Sequence, residues 1–188
     1  MATLVLTVLG PDRTGLVEAL AAPVAAHGGS WLESRMARLA GQFAGILRIE
    51  VPDRSAQALA DALAALGERG LDVVVRTAPA AEDRPGARAM LLDVVGTDRP
   101  GIVREISRAL AERGVNIEEL ATDRPVAAMT AETLFTARAR VRVPARVDPA
   151  ELRDRLERVA SDLMVEVRLA DDGEPAPDEA GFSPASPS

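Results

Sequence analysis

Cysteine, lysine and tyrosine are absent from the chain, and His27 is its single histidine. Without cysteine the protein has no disulfide, no thiolate metal site and no cysteine nucleophile. No second histidine or cysteine is available to complete a transition-metal site with His27. The sequence also shows no serine–histidine–aspartate set, no glycine-rich phosphate loop and no metal-ligand spacing. We therefore predict no catalytic residue, no metal and no cofactor, so an enzyme is the disfavoured alternative.

Aromatic residues and long apolar runs are also scarce. One tryptophan and three phenylalanines are the only aromatics, so the core must consist of alanine, valine, leucine and isoleucine. No apolar stretch approaches the roughly 18 residues that cross a membrane. The first residues lack the positive charge of a signal peptide. We therefore expect a cytoplasmic protein without a membrane partner.

Basic residues are fewer than acidic residues in this chain. The formal net charge is −7, and all 22 basic residues are arginines. Nucleic-acid binding needs a clustered basic surface that neutralises phosphates. The acidic balance of this chain therefore predicts that it does not bind nucleic acid directly.

What the sequence does contain is an internal repeat with a period of 86 residues. The segment that starts at Gly10 reads GPDRTGLV, and the segment that starts at Gly96 reads GTDRPGIV. Farther along, the offset grows to 92 and pairs Phe43 with Phe135, which places a six-residue insertion in the second copy, at 122–131. Only two copies at so long a period indicate duplicated domains rather than a solenoid.

Each copy has the pattern strand, helix, strand, strand, helix, strand, read from apolar periodicity. The first copy is expected to have strands at 3–9, 30–39, 42–51 and 71–77, with helices over 15–27 and after Ser55 as N-cap. The second is expected to have strands at 89–95, 115–122, 132–143 and 164–170, with helices over 100–113 and 149–162. Right-handed connections then place both helices on one face of a four-stranded antiparallel sheet. We therefore predict an α+β protein of two ferredoxin-like βαββαβ units.

Several residues have predicted local roles. Pro23 should kink the first helix or open a turn in it. The pair Ala40–Gly41 predicts a tight hairpin turn. Asp148 should cap the last helix, because a proline follows it at the first helical position. Met90 and Met164 are interpreted as buried strand residues.

Composition sets the expected domain boundaries. We assign 1–78 to a first domain, 79–87 to a linker rich in proline, alanine and charge, 88–170 to a second domain, and 171–188 to a disordered tail with four prolines. Units of this size have small cores. We therefore expect the halves to pack against each other or against a second chain, and the protein to form a homo-oligomer.

The pattern Gly-x-Asp-Arg-x-Gly joins a strand to a helix in both copies. Such a junction offers unpaired backbone N–H groups and a partial positive charge, which suit a carboxylate. The arginine side chain can clamp a carboxylate, and the aspartate can accept from an ammonium group. The same residues also suit a plain turn, so this pattern alone leaves a structural role open. The candidate residues are Gly10, Asp12, Arg13 and Gly15 in the first copy and Gly96, Asp98, Arg99 and Gly101 in the second.

The repeated segments resemble tandem ACT domains over about 1–170. The resemblance lies in GPDRTGLV with HGGSWLESRMARLAGQFAG and in GTDRPGIVREISRALAERGVNIEEL, and it is strongest to the glycine cleavage system transcriptional repressor family. It implies an amino-acid-binding regulatory module for a ligand of the glycine or serine class. It also implies control of transcription through a protein partner such as an activator, without a DNA-binding domain of its own.

The resemblance adds one residue to each candidate site, the residue that opens the second strand. These residues are Asn116 in the second unit and Ser30 in the first. The family often has asparagine at this position in the first unit as well, so Ser30 departs from the family pattern. A serine hydroxyl also offers fewer hydrogen-bonding atoms than an asparagine amide. Two alternatives stay open: a ligand-free ACT module that serves oligomerisation or interaction, and a regulatory subunit associated with an enzyme.

Overall fold

The computed structural model of the protein describes residues 1–78, 86–126 and 133–172. The chain divides into two compact units, Met1–Asp83 and Arg84–Ser188. The expected tail from 173 onward, most of the expected linker (79–85) and half of the expected insertion (127–131), together with residue 132, lie outside the described residues.

Each unit has the predicted order of elements. The first contains β1 (Ala2–Pro11), α1 (Leu16–Ala26), β2 (Ser30–Leu39), β3 (Gln42–Val51), α2 (Ala56–Ala64) and β4 (Asp72–Thr77). The second contains β5 (Arg88–Thr97), α3 (Ile102–Glu112), β6 (Asn116–Asp123), β7 (Leu134–Val143), α4 (Pro149–Leu163) and β8 (Val165–Asp171). Short 3-10 turns flank α2, over Asp53–Ser55 and Ala65–Arg69.

Both units form a four-stranded antiparallel sheet with the same strand order. The orders are β2-β3-β1-β4 and β6-β7-β5-β8, so the first strand of each unit is central. In the first unit Leu4 lies opposite Thr77, which places the start of β1 beside the end of β4. The loop after β1 therefore lies at the opposite end of the sheet from the unit's two termini. The predicted α+β, ferredoxin-like fold is confirmed.

The two helices of each unit cover the same face of its sheet. On β1 the buried side chains alternate, as expected for a strand with one covered face; they are those of Leu4, Leu6 and Val8. These three belong to one core cluster with buried leucines of both helices, Leu20 of α1 and Leu59 of α2 among them. The second unit has a separate core cluster built in the same way.

The predicted turns and caps are largely confirmed. The hairpin between β2 and β3 turns at Ala40 and Gly41, which both have positive φ, as a type I′ turn requires. Asp148 accepts a hydrogen bond from the backbone N–H of Ala150 at 2.9 Å, with a proline in the first turn of α4. Ser55 precedes α2 but makes no side-chain cap hydrogen bond, because a 3-10 turn leads into the helix there. The helix α1 continues through Pro23.

Met164 is not a buried strand residue, so that prediction is wrong. It lies between α4 and β8 with φ of 55°, and 58% of its surface is exposed. The corresponding turn in the first unit has Gly70 with φ of 75°. Met164 is exposed because it occupies the left-handed turn that ends α4, where the chain passes from a helix directly into a strand.

We expect Met164→Gly to raise the free energy of unfolding by about 1 kcal/mol, because glycine adopts the left-handed region without the steric cost of a side chain. The exposed side chain contributes little burial that the substitution would remove. Chemical denaturation followed by circular dichroism measures the change, and Met90→Gly is the control that should strongly destabilise, since Met90 is buried. A destabilising Met164→Gly would contradict the assigned strain.

Candidate functional site

The loop that joins the first strand to the first helix has the same backbone in both units. Gly15 and Gly101 lie at the helix starts with φ of 90° and 97°. No side chain of the described residues caps either helix, so backbone N–H groups of the first turn are available to a ligand. A Cβ atom at either glycine would meet nothing within 4 Å. Glycine is therefore needed here for its backbone conformation, and the space above it is open.

The first glycine of the pattern has a packing role. A Cβ atom at Gly10 would lie 2.5 Å from the carbonyl oxygen of Gly70, and one at Gly96 would lie 2.8 Å from the Cα atom of Val165. Both glycines therefore let the turn before the last strand approach the central strand. Within the candidate site, Gly10 and Gly96 shape the sheet end that supports the loop.

The aspartates of the two loops are each paired with an arginine from the hairpin of their own unit. Asp12 lies 2.7 Å from Nε of Arg38, and Asp98 forms an ion pair with Arg124. Arg38 and Arg124 are separated by the repeat period of 86 residues. Sequence reasoning missed both arginines, although their shared place in the repeat was a usable signal. The backbone N–H of Asp98 also donates to Thr133 at 3.1 Å, so hairpin and loop are joined.

The arginines of the two loops reach toward the turn before the last strand. Arg13 donates to the backbone carbonyl of Arg69. Arg99 lies 3.5 Å from the thioether sulfur of Met164. A thioether is a weak acceptor, so the guanidinium of Arg99 retains donors for a stronger anionic partner.

The second loop borders an open depression, which we call the charged cleft. It is lined by Asp98, Arg99, Gly101, Arg104 and Arg124, together with apolar residues at the start of α3 and on β7. Three arginines and one aspartate line the cleft. Arg124 is paired with Asp98, and Arg104 lies 3.6 Å from Glu105. Arg99, which contacts the thioether of Met164, is therefore the arginine best placed for a small anion. A carboxylate matches planar guanidinium donors, because its two oxygens can accept two parallel hydrogen bonds.

Asn116 and Ser30 do not lie beside the loops of their own units. Asn116 is paired with Arg142 on β7, which in turn is paired with Ala89 near the start of β5. Gly96 lies seven residues farther along β5, roughly 23 Å away at the usual rise per strand residue. Ser30 occupies the corresponding place in the first unit, since it is level with Glu50 and Thr3. One small ligand therefore does not reach both parts of the predicted site within a single unit.

Residues 1–78, 86–126 and 133–172 contain no cluster of three or more histidine, aspartate or glutamate side chains that is placed to hold a metal ion. No helix in them is both long and apolar enough to span a bilayer. His27 instead makes a local contact, with Nδ1 2.8 Å from the carbonyl oxygen of Pro23.

Comparison with known proteins identifies the two units. The ACT domain family model matches residues 2–76 and 88–170, which are the two βαββαβ segments. The chain belongs to the ACT domain family. Its two ACT domains follow one another in tandem, and ACT domains are regulatory modules that commonly bind amino acids.

Two solved structures share this tandem arrangement over nearly their whole length. A crystal structure of an unknown protein from Galdieria sulphuraria is 30% identical, with a TM-score of 0.82, and the match covers 91% of this chain and 98% of that one. A candidate glycine cleavage system transcriptional repressor is 18% identical, with a TM-score of 0.68, and the match covers 89% of this chain and 95% of that one. The second likeness shows the fold alone. No curated protein matches the chain.

Proposed function

We propose that this protein is a non-enzymatic cytoplasmic regulator whose ACT domains bind a small amino acid of the glycine or serine class. It controls transcription, as in regulation of glycine cleavage, by acting on a protein partner such as an activator. The observation that carries the ligand part of this proposal is the charged cleft, in which Arg99 and the open start of α3 face the same space.

The chemistry of the cleft matches the two ends of an amino acid. The carboxylate would accept hydrogen bonds from Arg99 and from backbone N–H groups at the start of α3. The ammonium group would lie against Asp98 or the side-chain carbonyl of Asn116. Glycine has five heavy atoms, and very small ligands gain at most about 1.5 kcal/mol per heavy atom, so its affinity is limited to a few micromolar. Such an affinity suits a sensor of an amino-acid pool.

A ligand that contacts both the loop and Asn116 requires loop and asparagine from different ACT domains. Homo-oligomerisation would supply this arrangement, and mixing of variants tests it. The Arg99→Ala chain and the Asn116→Ala chain should each bind glycine and serine more weakly when measured alone. After mixing and reassembly, a part of the sites would combine an intact loop with an intact asparagine, so calorimetry should recover binding. If mixing recovers nothing, Asn116 does not belong to a shared site.

The ion pairs on the second sheet support the proposal that the protein acts through a protein partner and does not bind nucleic acid directly. The arginines of β7 each face a carboxylate: Nε of Arg138 lies 2.8 Å from Asp93, and Nε of Arg142 lies 2.8 Å from Glu118. Arg140 donates to Asp172, and this hydrogen bond and the charge of the carboxylate raise the pKa of Arg140 above its ordinary value. These guanidinium groups are therefore neutralised within the unit.

We expect micromolar protein at low salt to cause no sequence-specific mobility shift of DNA on its own. The mobility shift that a partner transcription factor causes should change when this protein is added, and glycine or serine should modulate that change. Low salt is the stringent condition, because electrostatic binding to DNA is strongest there. A tight shift without a partner would contradict the proposed mode of action.

A second candidate function is a ligand-free module for oligomerisation or interaction. The specific observation in its favour is that both loop aspartates are already paired, Asp12 with Arg38 and Asp98 with Arg124. Calorimetric titration of the whole chain with the twenty amino acids separates the two functions. If none binds at millimolar concentration, the ligand-free module is the correct function; binding of a small amino acid supports the regulator.

A further inference from the structure

The helix that follows the candidate loop begins with a different charge in each unit. The third residue of α1 is Glu18, and the third residue of α3 is Arg104. The two positions are separated by the repeat period of 86 residues and therefore correspond. Both residues are exposed. A ligand carboxylate at the helix start would thus lie near a negative group in the first unit and near a positive group in the second.

Glu18 is not neutralised within its own helix. The sequence of α1, LVEALAAPVAA, contains no basic residue. A carboxylate in the first turn of a helix is stabilised by the partial positive charge of the helix start. Glu18 therefore competes with a ligand carboxylate for this charge and also repels it.

The first turn of α3 also contains an acidic residue, Glu105, but its surroundings differ. Nη1 of Arg104 lies 3.6 Å from its carboxylate, and Nη2 of Arg108 lies 2.6 Å from it. Arg104 lines the charged cleft, and Glu105 does not. The charge of Glu105 is therefore balanced within α3, and the start of this helix does not repel a carboxylate.

The arginines of the two loops also differ in what they would lose on binding a ligand. Arg13 donates to the backbone carbonyl of Arg69, whereas Arg99 contacts the thioether of Met164 at 3.5 Å. A carbonyl oxygen is a stronger acceptor than a thioether sulfur. Arg13 would therefore give up a full hydrogen bond to reach a ligand, and Arg99 would give up a weak one.

We propose that each chain binds one amino acid, in the second unit, and that Glu18 keeps the loop of the first unit empty. This inference rests on the proposed function and assigns the ligand to one of the two candidate loops. The first loop then has a structural role, in which Asp12 and Arg13 join the loop to neighbouring parts of the first unit.

Calorimetric titration of the whole chain with glycine and, separately, with serine tests this inference through the number of sites. We expect one site per chain, and equilibrium dialysis at saturating glycine gives an independent count. Two equal sites per chain overturn the inference, while the proposed function stands because the amino acid binds. If neither amino acid binds at millimolar concentration, the proposed function fails, and this inference fails with it.

The variant Arg104→Glu copies Glu18 into the second unit and tests where the ligand lies. A unit charge roughly 6 Å from the ligand carboxylate would change affinity about threefold even in water. Arg104→Gln should therefore weaken glycine binding about threefold, and Arg104→Glu about tenfold, with an unchanged circular dichroism spectrum.

The control for this charge reversal is Arg158→Glu. Arg158 is exposed on α4, donates to the backbone carbonyl of Asp154 and does not line the charged cleft. Its reversal should leave affinity within about twofold, because exposed charges at a distance are screened. Unchanged affinity in Arg104→Glu, or an equal loss in the control, overturns the inference.

The reciprocal variant Glu18→Arg copies Arg104 into the first unit. It should raise the number of glycine sites from one toward two, with the new site weaker because Arg13 still has to leave the carbonyl of Arg69. Asp61→Arg reverses an exposed carboxylate on α2 of the same unit and should leave one site. If Glu18→Arg also has one site, Glu18 is not what keeps the first loop empty, and the inference is overturned.

Discussion

Replacing Arg99 by alanine is expected to weaken the binding of a small amino acid by about ten- to a hundredfold. The reason is the loss of a charge-assisted hydrogen bond to the ligand carboxylate, which contributes about 1.5–3 kcal/mol. Arg99 would lose only a weak interaction when it binds the ligand, because its hydrogen-bond partner in the folded chain is the thioether of Met164. Isothermal titration with glycine and serine measures the change.

The matched control for this experiment is Arg108→Ala. Arg108 also lies in the second unit, but it forms ion pairs with Glu105 and Glu112 along α3 and does not line the charged cleft. Removing it changes the net charge by the same amount and should leave affinity within about twofold, since exposed charges at a distance are screened. Equal losses in the two variants would show that only overall charge matters and that the cleft is not the site.

Gly10→Ala is expected to destabilise the first unit. The added Cβ atom would lie 2.5 Å from the backbone oxygen of Gly70, a contact that backbone movement alone relieves. We expect the free energy of unfolding to fall by about 2–3 kcal/mol, as in other overpacked interiors. Trp31 is the only tryptophan and packs against the core of the same unit, so its fluorescence in a urea titration reports the loss.

Gly67→Ala is the control in the same unit. A Cβ atom there would have only one neighbour within 4 Å, a side-chain oxygen of Asp72 at 3.9 Å. Alanine should therefore be tolerated, and it also restricts the unfolded chain. If both variants lower the urea midpoint equally, the close approach of the turn to β1 is not the cause.

The repetition of local patterns explains why the strands and helices were predictable. Strand β3 has an alternating burial pattern, and the turn residues Ala40 and Gly41 fix where β2 ends and β3 begins. The start of α4 was equally clear, because Asp148 and the proline after it act within the first turn of the helix. Both signals involve residues that are close together in the chain.

Features that depend on distant parts of the chain were not predictable in the same way. The pairing of Asp98 with Arg124 joins a loop to the end of β6, and the place of Arg38 and Arg124 in the repeat was the one sequence signal for it. Met164 gave no turn signal, because left-handed turns are normally recognised by glycine. The position of Asn116 relative to the loop follows only from the strand order.

The termini of each ACT domain lie side by side, at the end of the sheet away from the loop. In the first unit the backbone N–H of Ala78 donates to Thr3 at 2.9 Å, and in the second that of Asp172 donates to Ala89 at 3.1 Å. A gene segment that encodes one such unit can therefore be copied or spliced into another chain through a single junction. A domain fused at these termini is attached far from the loop. Recombination can therefore join an ACT domain to a different protein without changing the residues that contact the ligand.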